Sequence, residues 1–127
     1  MTTATPQHLR VLPGSFVVER AEDEQAALAG PWVALVRAPE GLTVIREAGV
    51  DEVPQDGGDL WAALYSGDTA HGLDVPGVLA LLLTPLAAGG VPVFVASTYN
   101  ADLILVPRDR LTDGAEVLRA IGHRIDL

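Results

Sequence analysis

Residues 75–107 read VPGVLALLLTPLAAGGVPVFVASTYNADLILVP, a stretch with no charged side chain before Asp102. By length alone it could span a bilayer. Its punctuation argues otherwise: Pro76, Gly77, Pro85, Gly89, Gly90 and Pro92 interrupt it, and the polar Ser97, Thr98, Tyr99 and Asn100 follow. Val75, Val78, Leu79, Leu82, Leu83 and Leu86 recur at helical spacing. The spacing predicts a buried helix over 75–90 that stops at the Gly pair, with no membrane span. VPVFVAS (91–97) and DLILVPR (102–108) read as a hairpin, with Val93, Phe94 and Val95 in a central strand.

Outward from this stretch the pattern continues. LWAALYS (60–66) reads as a strand. Thr112 or Asp113 is placed to cap a helix carrying Val117, Leu118 and Ile121 and ended by Gly122, and HRIDL makes a last short strand. Residues 60–127 therefore read β-α-β-β-α-β, the split βαβ plan with an antiparallel sheet and two helices on one face. SFVVER (15–20), the Ala-rich AEDEQAALAG, WVALVRA (32–38) and LTVIREA (42–48) give a thinner β-α-β-β echo of it. The acidic, Gly-rich connector DEVPQDGGD suggests a division into residues 1–58 and 59–127.

Composition narrows the function classes. The chain has 127 residues and is 49% hydrophobic, enough for one domain or two small halves sharing a core. Its formal charge of −9, with Arg as every basic residue, is a poor match to phosphate backbones or anionic membranes. There is no Cys for a disulfide, thiol nucleophile or metal site. MTTATPQHLR lacks a secretory pattern, so a cytoplasmic protein is expected.

Catalysis has no visible carrier. His8, His71 and His123 match no metal spacing, and His71, near Gly72, and His123, after a helix, read as surface residues. Asp51-Glu52 and the acids of 56–59 read as a solvated loop rather than paired catalytic carboxylates. No nucleophile elbow, phosphate loop or dinucleotide fingerprint is present, and no cofactor is expected. Binding has more to work with. A helix opening at Pro76 offers the backbone N–H groups of Gly77, Val78 and Leu79 to a carboxylate, and Gly72 and Gly77 allow close approach. Thr98, Tyr99 and Asp102 lie on the hairpin, where an exposed Asp102 could meet an ammonium group. Together these would hold the two ends of a free amino acid. On residue types alone, Asp74 as a simple cap and Asn100 or Asp102 as turn formers explain the same pattern.

GLDVPGVLALLLTPLAAGGVPVFVASTYNADLILVPRDRL resembles the signature half of the CASTOR-type ACT-domain proteins, small bacterial tandem-ACT proteins related to animal arginine sensors. LRVLPGSFVVER and WVALVRAPEGLTVI are similar to the first half, so the resemblance runs from about Leu9 onward. It implies an α+β, ferredoxin-like ACT architecture of two ACT-like halves, the first (1–58) degenerate and the second (59–127) complete. It further implies a non-catalytic regulatory module that binds an amino acid at an ACT–ACT interface, as a homodimer. By position, Gly72, Val78, Thr98, Tyr99 and Asp102 match residues lining the sensors' pocket, and Gly77 joins them as a helix-terminal donor. Val75 stands where the sensors carry glutamate, which argues against arginine as ligand. The alternative is a structural dimerisation or partner-binding module with no ligand.

Overall fold

The computed structural model describes residues 6–54, 57–67 and 76–127. The chain divides into two compact units: residues up to Pro13 with Ala62–Leu127, and Gly14–Trp61.

The larger unit holds the strands β1 (His8–Val11) and, further along the chain, β5 (Trp61–Tyr65) from its second residue on, β6 (Phe94–Ser97), β7 (Asp102–Pro107) and β8 (Arg124–Asp126). Two helices, α2 (Val78–Ala88) and α3 (Leu111–Ala120), complete it. The strands pair in the order β6-β7-β5-β1-β8. The sequence pattern groups the first 58 residues in one half and leaves 59–127 to close its own sheet. In the structure β1 lies between β5 and β8, antiparallel to the former and parallel to the latter. Side chains hold that insertion. His8 Nε2 lies 2.6 Å from Asp126 Oδ2, and this contact keeps the Asp126 carboxyl below its usual range. Next to it, Arg124 N–H donates to the Gln7 carbonyl at 3.0 Å.

Helix α2 starts at a Gly77 in the left-handed region (φ +82°), a conformation that glycine adopts without steric cost. It ends at the Gly pair: Gly90, at φ +71°, turns the chain, and Val91 N–H donates back to the Leu86 carbonyl at 2.9 Å. Leu82 and Leu86 are fully buried, whereas Leu79 and Leu83 pack only partly against the core. One apolar cluster joins these leucines to Ala115 and Leu118 of α3 and to Leu9, Ala62, Leu64, Ile104, Val106 and Ile125 of the sheet. The sheet members of β5 and β7 are alternate residues and so share one face; both helices cover that face. Gly114 is buried on α3, facing Leu86 of α2.

Two expectations shift. The inner strand is β7, buried along all six residues, while β6 pairs only with β7 among the described residues. Pro92, just ahead of β6, suits an edge because proline cannot donate to a further ladder. In addition, α3 is entered through a 3-10 turn at Arg108–Arg110, and no side chain among the described residues caps it. Asp113 instead pairs with Arg110 at 3.1 Å.

The smaller unit is β2 (Phe16–Arg20), α1 (Glu24–Ala29), β3 (Trp32–Ala38) and β4 (Gly41–Glu47), in antiparallel order β3-β4-β2. Asp23 caps α1 by accepting from Ala26 N–H at 3.2 Å. Leu42, Val44 and Ile45 are buried along β4, and β3 leaves Trp32, Val33 and Val36 exposed.

Candidate functional site

The hairpin that the sequence singled out closes on Thr98 and Ala101. Thr98 N–H donates to the Ala101 carbonyl at 2.8 Å, and Ala101 N–H donates to Thr98 Oγ1 at 3.0 Å. The Thr98 hydroxyl returns a bond to the Ala101 carbonyl at 3.2 Å. Tyr99, 75% exposed, is left at the tip. A threonine side chain thus does the work that a glycine turn would do through backbone alone.

Asp102 follows, paired across the hairpin with Ser97. Its expected exposed setting is corrected by the structure: the residue is only 3% exposed. The cause is position, because Asp102 opens the innermost strand, flanked by β6 on one side and the end of β5 on the other. Ser97 Oγ donates to the carboxylate at 2.9 Å. Asp102 N–H donates to Ser66 Oγ at 2.8 Å, while Ser66 N–H donates to the Asp102 carbonyl at 3.0 Å. Ser66 is itself fully buried. A buried polar side chain needs hydrogen-bond partners, and Ser97 supplies one here. Ser66 and Ser97 were not singled out from sequence. Their signal was a small polar residue ending each of two apolar runs.

The start of α2 supplies the other half of the expected site. Among the described residues no side chain caps it, and a Cβ built on Gly77 would meet nothing within 4 Å. Val78 is buried beneath it. Gly72 and Val75 lie outside the described residues, as does His71. Thr98, Asp102, Ser66 and Ser97 are brought together; Gly77 and Val78 belong to a separate element that follows β5 in the chain.

Other polar groups sort differently from the sequence reading. Glu52 is no loose loop carboxylate. It takes Arg46 at 2.9 and 2.6 Å and Gly49 N–H at 2.8 Å, which hold its carboxyl down to about 2. Glu19 binds the same guanidinium, and these bonds raise Arg46 still further above its usual range. The three residues line an open cleft of about 930 Å³ in the smaller unit, beside Val17, Val44 and Trp32. His123, read as a surface residue, is buried at 5% exposure. Among the described residues no group of three or more His, Asp or Glu side chains is placed to hold a metal, and no helix is long and apolar enough to cross a membrane.

A family model of the ACT domain matches residues 57–120. The curated relatives include the cytosolic arginine sensor for mTORC1 subunit 1 of Bos taurus and of Homo sapiens, each 37% identical over 62 residues. That match covers 49% of this chain and 19% of the relative, so the chain accounts for about a fifth of the sensor's length. Among solved structures, a protein from Agobacterium tumefaciens aligns over 96% of this chain and 93% of its own, with a TM-score of 0.72 and 25% identity. A protein of unknown function from Vibrio cholerae aligns over 87% and 85%, with a TM-score of 0.71 and 23% identity. The likeness in fold therefore extends well beyond the matched ACT segment.

Proposed function

The chain belongs to the ACT domain family, and from that premise we propose that it is a small-molecule-sensing regulatory module. It binds an amino acid at an ACT–ACT interface, works as a homodimer in the cytoplasm, and catalyses nothing. The observation that carries this reading is the buried carboxylate of Asp102, in the same unit as a start of α2 that no side chain caps among the described residues. A free amino acid presents an ammonium and a carboxylate at fixed separation. Asp102 is the acceptor for the first, and the N–H groups at Gly77 and Val78 are the donors for the second. Gly72, Thr98 and Tyr99 complete the proposed lining. The relatives named as arginine sensors support an amino acid as the ligand class. Val75, at the position to which the resemblance assigns a glutamate, favours a ligand with a smaller or apolar side chain.

One observation favours a second reading, a pairing module without ligand: Thr98 Oγ1 is already engaged by its own turn, and Asp102 already accepts from Ser97. A thermal-shift screen against the proteinogenic amino acids separates the two. A ligand that binds only the folded state raises Tm with concentration. At least one such response is expected, and a flat panel would favour the pairing module.

A further inference from the structure

Proline inside a helix removes one donor and so orphans the carbonyl four residues earlier. In α2 that proline is Pro85 and the orphan is Leu81. The Leu81 carbonyl is nevertheless satisfied: His123 Nε2 lies 3.0 Å from it. The opposite ring nitrogen, Nδ1, accepts the Gln7 backbone N–H at 2.8 Å. A carbonyl can only accept and a backbone N–H can only donate. These two contacts therefore define a neutral imidazole with its proton on Nε2.

We infer that His123 is a surrogate helix donor, a positioning residue that supplies the hydrogen bond Pro85 cannot and ties α2 to the start of β1. The chemistry is specific. Leucine fills the space but satisfies neither contact, whereas glutamine carries a donor that can reach the helix carbonyl. His123 N–H also donates to the Leu118 carbonyl at the end of α3, and Arg124 N–H bonds Gln7, so the ring sits on backbone fixed at both sides. By holding the middle of α2, His123 fixes where the first turn, with Val78 and Leu79, is presented. Only that last consequence rests on the proposed use of the α2 terminus for ligand; the clamp itself is tested without any ligand.

The experiment is a double-mutant cycle on the full chain with Pro85→Ala, His123→Leu and the pair, plus His123→Gln. Pro85→Ala restores the missing helix donor, so His123→Leu should lower Tm by roughly 5 °C or more in the parent and by no more than about half as much beside Pro85→Ala. His123→Gln should recover part of the loss. Nitrogen-15 spectra of the parent should show His123 protonated at Nε2 and bare at Nδ1. In His123→Leu, the amide signals of Val78 and Leu79 should move. An equal Tm loss in both backgrounds, or an Nδ1-protonated ring, would overturn the clamp. If His123→Leu alone fails to fold, recovery of folding by Pro85→Ala supports it and failure of that rescue counts against it. Unmoved Val78 and Leu79 signals would refute the positioning role. Whether any amino acid binds is a separate result and decides the proposed function alone.

Discussion

Replacing Asp102 by Asn removes one charge at nearly constant size. The side chain keeps its size and an oxygen able to accept from Ser97, now 2.9 Å from the carboxylate. The backbone bonds to Ser66 do not involve the carboxylate at all. Folding should therefore change by about 1 kcal/mol or less. Binding should respond far more. At a position 3% exposed, a ligand ammonium left opposite a neutral amide loses about 2–5 kcal/mol, which is roughly thirtyfold to several-thousandfold in Kd. The assay is calorimetric titration of parent and Asp102→Asn with whichever amino acid raises Tm, after circular dichroism has shown the two equally folded. Equal affinity in that comparison would refute the ammonium-acceptor role.

Leu82 is fully buried in the main cluster, so Leu82→Ala should cost about 2–5 kcal/mol in urea unfolding, and Leu79→Ala, only partly buried, distinctly less. Thr98→Val removes two turn bonds and should lower stability by about 1–2 kcal/mol with or without ligand. A depressed carboxylate contributes stability above its ordinary value and loses it as pH falls through the depressed one. The Glu52–Arg46 contribution should accordingly fade between about 4.5 and about 2, and Glu52→Gln should flatten the acid limb of a stability-against-pH curve over that window. Light scattering at micromolar concentration should report twice the chain mass, in keeping with a two-fold pairing of copies, and a monomer at every concentration would count against an interface site.

The local grammar of this chain is unusually plain. The Gly89-Gly90 pair stops α2 where the pattern put its end, although the helix begins at Val78 and not at Pro76, and the polar Ser97–Asn100 segment announces the hairpin. Long-range pairing left no such trace. The four-residue β1 meets the three-residue β8 across almost the whole sequence, and neither is long enough to show periodicity. Sequence pattern therefore groups the N-terminal strand with its chain neighbours instead of its spatial ones. Asp102 was legible as a residue of interest but not as a buried one, because burial comes from β5 lying alongside β7. His123 was missed although a clue existed: a proline within a helical apolar pattern implies a carbonyl that some distant donor must satisfy.

The central claim is that one zwitterion is held between the α2 terminus and the Asp102 hairpin. An amide-resolved NMR titration of the labelled chain, with the amino acid that gives the largest thermal shift, addresses it directly. Saturable changes at Gly77, Val78 and Leu79 together with Thr98, Tyr99 and Asp102, lost in Asp102→Asn, are predicted. Changes confined to the cleft around Glu19, Arg46 and Glu52, or none at all at saturating ligand, would contradict it.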